Sequence, residues 1–396
     1  MAALAAAGGP GCARFVGGCL RNAVLGSKIE DIDIATTLEP QAVVAALEAA
    51  KIKAVPTGLS HGTITAVAAG RPFEVTTLRR DVEADGRHAR VAFTDDWLTD
   101  ALRRDFRLNA LYADEEGRLY DPTGEGLADA KAGRVVFVGD PATRIAEDAL
   151  RILRFFRFVA WYGRGEVDAS GLEACQEKAE LIAGLSAERV AKELLALLSA
   201  EDPRPAVRLM AASGVLARAL PEAVRISRFD ALVEVETGIL FETDPLLRLA
   251  ALLADEAAAQ AASKHLKLSN AQAERLVAAL GEEPRLVSWM SPKEMRRLVW
   301  KLGAETFCDR VMLAWAASDR PAAAIQWRAL LPMARSWPRP NLPVDGRQVE
   351  AAGVPKGPQV GKVLSEIEAW WIDQDFPADP LAAVERLKAV VQGMVQ

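Results

Sequence analysis

The chain is short of the residues from which metal centres and covalent scaffolds are usually made. Its 396 residues include three histidines (His61, His88, His265) and four cysteines (Cys12, Cys19, Cys175, Cys308). The cysteines are scattered and form no Cys-x-x-Cys pair, which argues against a disulfide framework and a structural zinc site and suits a reducing compartment. Three histidines all but exclude a His-rich metal centre and cannot build a His-Asp phosphohydrolase domain. No apolar run reaches the roughly 18 residues of a membrane span. Positive charge is not in excess either: 48 Lys and Arg against 54 Asp and Glu give −6. That sum excludes a protein that coats nucleic acid through net charge, while leaving a local basic groove open. The N-terminal alanines follow no basic segment, so no secretory signal is read and a cytoplasmic location is expected.

What is present points to large cores. Hydrophobic residues make up 51% of the chain and charged ones 26%, and the length predicts two or three domains. Strand signals cluster early, at Ala13–Val16, Ile32–Ala35, Thr63–Ala68, Phe73–Thr77, Leu108–Ala113 and Val135–Val138, with helices at Pro40–Ala50 and Thr94–Arg103. From Asp140 the pattern becomes helical. One helix is expected from Asp140 to about Trp161, another after Ser186, and a third opened by the Ser291-Pro292-Lys293-Glu294 capping box. A proline-rich connector, Trp337–Gly346, precedes two more helices near Gln359–Asp373 and Pro380–Gly393. The expected organisation is a mixed-sheet α+β head over 1–137, a helical neck over 138–205, and a helical body and tail over 206–396.

Two constellations carry chemistry. In the first, Val16-Gly17-Gly18-Cys19-Leu20-Arg21-Asn22 is followed by Asp31-Ile32-Asp33-Ile34. Paired glycines between a strand and a helix let phosphate oxygens approach backbone N–H groups, and Arg21 on the first turn can grip the same phosphates. Asp31 and Asp33, two apart on a strand, would share a face, where two carboxylates repel unless cations sit between them. In the second, Arg151, Arg154 and Arg157 recur every third residue, three after Asp148, on an otherwise apolar helix. Between Arg144 and Arg164 five arginines face Glu147 and Asp148, a local +3. Such a guanidinium row needs an anionic or stacking partner, and an ordinary Glu147–Arg151 salt bridge is the structural alternative.

The glycine pair and Asp-x-Asp resemble the nucleotidyltransferase signature of the DNA polymerase β superfamily. Glu74–Arg79, Arg103-Arg104-Asp105-Phe106-Arg107, Asp121–Gly124 and Glu147-Asp148-x-x-Arg151 follow in order. Together they resemble the motifs of class II CCA tRNA nucleotidyltransferases and bacterial poly(A) polymerases. The resemblance implies a polymerase-β-like head and two Mg²⁺ ions on Asp31 and Asp33, with Glu74 as a possible third carboxylate. It further implies that Gly17, Gly18, Arg21 and Arg104 hold the nucleotide. Asp148 and Arg151 would read the base of CTP or ATP, with Arg154 and Arg157 reaching the triphosphate or stabilising that pair. The implied partner is the 3′ end of tRNA, with no membrane and no obligate protein partner. Addition of a poly(A) tail, addition of only part of CCA, and an RNA-binding protein with a dead site are the alternatives. Two positions depart from the family pattern: Asn22 stands for an aspartate and Arg107 for a threonine. The span Asp81–Asp96 reads as a flexible loop. Residues 285–301 carry Arg285, Lys293, Arg296, Arg297 and Lys301 against Glu294, a local +4, interleaved with Trp289 and Trp300. Arg296, Arg297 and Lys301 are therefore the RNA-binding candidates, and a solvated cationic helix with core tryptophans is the alternative.

Overall fold

Short apolar runs closed by glycine, proline or aspartate build one seven-stranded mixed sheet. The computed structural model describes residues 1–83, 90–238, 242–318, 320–377 and 379–395. Helix α1 (Ala2–Gly8) precedes β1 (Ala13–Val16), and α2 (Gly18–Leu25) leads to β2 (Asp33–Thr36). Then come α3 (Pro40–Ala49), β3 (Lys53–Gly58), β4 (Thr63–Ala68) and β5 (Arg71–Thr77). A separate ribbon of β6 (Arg79–Glu83) and β7 (Arg90–Phe93) follows, then α4 (Trp97–Leu102), β8 (Tyr112–Ala113), β9 (Leu119–Tyr120) and α5 (Gly126–Ala132). The sheet order is β3-β4-β5-β2-β1-β8-β9, with β2 and β5 paired in parallel. Alternation along the strands sends Ile34, Ile64 and Val75 to one face, packed with Leu4, Val43 and Leu47 from α1 and α3. Val16 and Ala35 join Leu78, Ala101 and Tyr112 in a separate cluster.

Two expected strands are not formed as read. Of Leu108–Ala113 only β8 pairs, because 107–109 closes a 3₁₀ turn. In Val135–Val138 only Phe137 bridges, to Phe106, and the run is buried by side-chain packing instead. An apolar run alone does not distinguish these outcomes. The expected loop at 81–96 is partly the β6–β7 ribbon, and residues 84–89 lie outside the described residues.

The remainder is helical. The expected single helix from Asp140 breaks at Asp148 into α6 (Pro141–Glu147) and α7 (Leu150–Tyr162). α8 (Ala169–Glu177) and α9 (Ala187–Leu198) pack beside them, followed by α10 (Arg204–Ala212), α11 (Val215–Ala219), α12 (Ile226–Gly238) and α13 (Pro245–Leu252). Next are α14 (Glu256–His265), α15 (Asn270–Ala279), α16 (Pro292–Leu302), α17 (Ala304–Ala316) and α18 (Ala324–Ser336). The chain ends in α19 (Gly346–Ala351), α20 (Pro358–Asp373) and α21 (Pro380–Val395). The Ser291 capping box opens α16 as the sequence indicates. Among the described residues no helix is long and apolar enough to cross a membrane. All four cysteines are free and buried.

The helices are joined to the sheet by aromatic packing. Phe106 lies 4.9 Å from both Phe137 and Phe158, and Phe137 stacks on Phe155 at 5.6 Å. All four are at most 3% exposed. Phe155→Ala is expected to cost about 3–5 kcal/mol of stability, read by urea denaturation, because it opens a cavity where head and helices meet.

Candidate active site

Strand register gathers the acidic candidates at one end of the sheet. Val16 faces Asp33 across β1–β2, and Asp33 faces Glu74 across β2–β5. The chain therefore leaves β1 through Gly17 and Gly18 beside both acids. Gly17 has φ 76°, a conformation that favours glycine, and its N–H donates to the Leu111 carbonyl at 3.2 Å. Helix α2 begins at Gly18, so its first-turn N–H groups lie next to that turn.

Asp31 is exposed and precedes β2 rather than sitting on it, so the two aspartates do not occupy positions i and i+2 of one strand. They are nevertheless electrostatically linked. Burial, then the Glu74 charge, pushes the Asp33 carboxyl above the usual carboxylate range; Asp31 adds to this and Arg104 opposes it. Among the described residues no three His, Cys, Asp or Glu side chains converge tightly enough to hold a metal ion by themselves. The donor chemistry still fits Mg²⁺, which commonly takes one or two carboxylates and completes its shell with substrate phosphate and water. Mutually repelling carboxylates around a partly buried Asp33 are relieved by such an ion.

Arg104 points toward this end of the sheet. Its Nη1 lies 3.7 Å from where a Cβ on Gly17 would stand. Its Nε and Nη2 donate to Asp100 Oδ2 at 3.2 and 2.9 Å, and Nε also reaches the Tyr112 hydroxyl at 3.2 Å. Arg103 Nε donates to Asp100 Oδ1 at 2.8 Å, so Arg103 is held in a salt bridge. Asp100 is 1% exposed; burial raises its pKa, but Arg104, Arg103 and the Tyr112 hydroxyl together hold it down to about 2.

Arg21 is placed differently from the sequence expectation. It is buried, and its guanidinium donates to Asn109 Oδ1 at 2.6 Å, Tyr162 Oη at 2.8 Å, and Asn22 Oδ1 at 3.1 and 2.9 Å. It also stacks on the Tyr162 ring at 3.9 Å. A phosphate would have to displace these partners, so in this conformation Arg21 positions other groups. Asn22 supplies the acceptor oxygen at the position where the family carries an aspartate.

The helical constellation is also more structural than its spacing suggests. Asp148 lies between α6 and α7, its Oδ1 accepting from the Leu150 amide at 3.1 Å and its Oδ2 from Arg189 Nη2 at 2.8 Å. Arg151 pairs with Glu147 and donates to the carbonyls of Arg144 at 2.7 Å and Arg103 at 3.2 Å. The Glu147–Arg151 salt bridge, the structural alternative, is therefore present, and Asp148 and Arg151 do not bond each other through their side chains. Arg154 Nε donates to Asp105 Oδ2 at 2.8 Å, and Arg157 pairs with Glu193. Arg107, in place of threonine, pairs with Glu125.

Of the RNA-binding candidates, Arg296 and Arg297 are engaged with Asp375 and Asp373 and fasten α16 to the tail. Trp300 packs against Trp371 at 5.3 Å and Phe376 at 5.6 Å, the core alternative. Lys301 is exposed, and Trp289 is 65% exposed. Sequence reasoning missed Asp100, Asn109, Tyr162, Arg189 and Glu193. Asp100 carried a signal, because it lies three and four residues before Arg103 and Arg104; the others act through contacts distant in sequence.

The chain is also similar to known proteins. Residues 13–136 match the poly A polymerase head domain, and residues 166–226 match a probable RNA and SrmB-binding site of polymerase A. The chain is 32% identical over 370 residues to CCA tRNA nucleotidyltransferase 1, mitochondrial, of Mus musculus, covering 90% of this chain and 82% of the mouse protein. It is 30% identical over 382 residues to a CCA-adding enzyme of Levilactobacillus brevis, covering 94% and 92%. The crystal structure of the Bacillus stearothermophilus CCA-adding enzyme in complex with CTP superposes with a TM-score of 0.77 at 26% identity, covering 97% of this chain and 93% of that one.

Independently of any relative, Asp100→Asn is expected to lower stability at pH 7 by about 2 kcal/mol. Because the folded pKa is depressed to about 2 from 3.8, the Asp100 contribution is complete above about pH 4 and fades as pH falls toward 2. Urea denaturation of both proteins across that window reads the difference, which should shrink in acid.

Proposed function

We propose that this chain, which belongs to the family of class II CCA tRNA nucleotidyltransferases and bacterial poly(A) polymerases, adds C, C and A to the 3′ end of tRNA. CTP and ATP are the nucleotide donors, and no nucleic-acid template is used. The observation that carries this reading is the alignment of the Gly17 turn, Asp33 and Glu74 at one end of the sheet, with Arg104 turned toward them.

In the reaction, the 3′ oxygen of the RNA attacks the α-phosphorus in line. The bond from that phosphorus to the bridging oxygen breaks, pyrophosphate leaves, and the hydroxyl proton is lost. Bound Mg²⁺ would supply Lewis-acid polarisation of the α-phosphate and a lower pKa for the attacking hydroxyl. Asp31 and Asp33 would hold it, with Glu74 beside them. Gly17 and Gly18 leave phosphate oxygens access to the N–H groups at the start of α2, and Arg104 offers its Nη1 there. Arg21 fixes the turn from behind through Asn22, Asn109 and Tyr162.

Nucleotide choice rests on Asp148 and Arg151. A carboxylate accepts from the exocyclic amine of cytosine or adenine, and a guanidinium donates to the adjacent ring nitrogen. Uracil and guanine present a carbonyl to the carboxylate and leave it unpaired. Both side chains are restrained before a base arrives, Asp148 by Arg189 and Arg151 by Glu147. Arg154 and Arg157 serve that arrangement through Asp105 and Glu193 rather than reaching the triphosphate. In this reading 1–137 performs the chemistry, 138–205 selects the nucleotide, and 206–396 holds the tRNA.

Asp31→Ala and Asp33→Ala are each expected to reduce CTP incorporation into tRNA lacking its 3′ end by at least about a hundredfold in Mg²⁺. Activity within tenfold of wild type would contradict the assignment. Asp148→Ala should raise misincorporation of UTP relative to CTP by about tenfold or more, measured as the ratio of their kcat/KM values.

A further inference from the structure

The helical body contains a cationic cavity unconnected with the site described above. About 560 Å³ in volume, it lies between the start of α12, the end of α15, the 284–289 segment, and α17 and α18. Arg228, Arg285, Arg310 and Arg320 line it, and Glu282 is the one acidic residue on its wall. Among the described residues none of the four arginines makes a salt bridge.

Two of these arginines are fixed by backbone. Arg228 Nε donates to the Ala251 carbonyl and Nη2 to that of Ala250, each at 3.0 Å. Arg310 Nε donates to the Ala278 carbonyl at 2.7 Å and Nη1 to that of Glu283 at 2.9 Å. Gly281 makes room for Arg310, since a Cβ there would stand 1.8 Å from Nη2. Arg228 Nη1 and Arg310 Nη2 retain no partner among the described residues. Burial pushes both guanidinium pKa values down, with Arg225 adding to the effect on Arg228 and Glu256 opposing it at Arg310. Planar, preorganised donors without a carboxylate suit phosphate oxygens.

The rim offers a second kind of contact. Trp289 is 65% exposed, with the Arg320 guanidinium 6.0 Å from its ring. Trp327 on the wall is 5% exposed, and its Nε1 donor has no partner among the described residues. A ligand that is anionic at one end and flat at the other satisfies all of these groups, and a nucleotide unit has that form.

We propose that this cavity holds one unpaired nucleotide of the RNA substrate, its phosphate on the arginines and its base against Trp289. The proposal rests on the reading that the chain acts on RNA. It also relocates RNA recognition within 285–301: Arg285 and Trp289 face the cavity, whereas Arg296 and Arg297 are tied to the tail.

The test uses the full chain with Arg285→Glu, Arg320→Glu and Trp289→Ala combined, leaving the helix-capping Arg228 and Arg310 in place. Filter binding measures the Kd for a tRNA transcript lacking its 3′ end and for an unstructured RNA oligonucleotide, without nucleotide, over a salt series. The expected result is at least a tenfold higher Kd for RNA, with a salt slope lowered by about one per arginine removed. The KM for CTP and kcat at saturating RNA should stay unchanged, with Tm as in wild type. An unchanged RNA Kd would overturn the proposal. So would a higher KM for CTP, or loss of inorganic pyrophosphate binding, with RNA affinity intact, since either assigns the cavity to a free anion. A wild-type chain that binds RNA but extends none would contradict the catalytic reading while leaving the cavity measurement interpretable.

Discussion

A buried carboxylate, Asp105, sets the relation between the sheet and the helix beneath it. It is 9% exposed and accepts from the Phe106 amide at 2.8 Å, Asn109 Nδ2 at 3.1 Å and the Arg154 guanidinium. Burial alone would raise its pKa, yet Arg154 and these hydrogen bonds hold it below the ordinary carboxylate value. Asn109 passes the connection to Arg21, and Arg21 returns it to Tyr162 at the end of α7. The polar loop therefore begins and ends on the same helix and encloses the turn that follows Gly17. Breaking a buried pair of this kind by removing one partner typically costs about 3–5 kcal/mol, because the remaining charge stays buried. The aromatic cluster around Phe106 supplies attraction between the same elements, while the polar loop fixes their register.

Charge is distributed according to that frame. At the open end of the sheet Asp31, Asp33 and Glu74 outnumber Arg104, an arrangement suited to a cation and unsuited to a bare protein. Along α7 the arginines are largely neutralised by Asp105, Glu147 and Glu193, so the local +3 of the sequence is less available than its sum implies. In the body, four arginines around one cavity make no salt bridge among the described residues. An overall charge of −6 thus coexists with a cationic pocket lined by four arginines and one glutamate.

The sequence was most legible where a local pattern decides the structure. β1 and β4 lie where their short runs place them, the Ser291 capping box opens α16, and the Gly-Gly and Asp-x-Asp motifs meet at one end of the sheet. It was least legible where distant residues compete. The run 140–161 reads as one helix because nothing local shows Asp148 turning to Arg189, forty-one residues away. Arg296 and Arg297 read as free cations because Asp375 and Asp373 lie beyond a proline-rich connector. Arg21 reads as a phosphate ligand because Asn109 and Tyr162, which occupy it, belong to other elements. Spacing identifies which residues share a face, and partners that satisfy a buried charge come from the tertiary fold.

The central claim is that the chain adds C, C and A to the 3′ end of tRNA from CTP and ATP without a template. Supplying tRNA that lacks its 3′ end with CTP alone, ATP alone, or both, and sizing the products, tests it most directly. The account predicts three added nucleotides when both are present and two when only CTP is supplied. A long ladder of adenylates on any RNA, or no extension of tRNA at all, would contradict it.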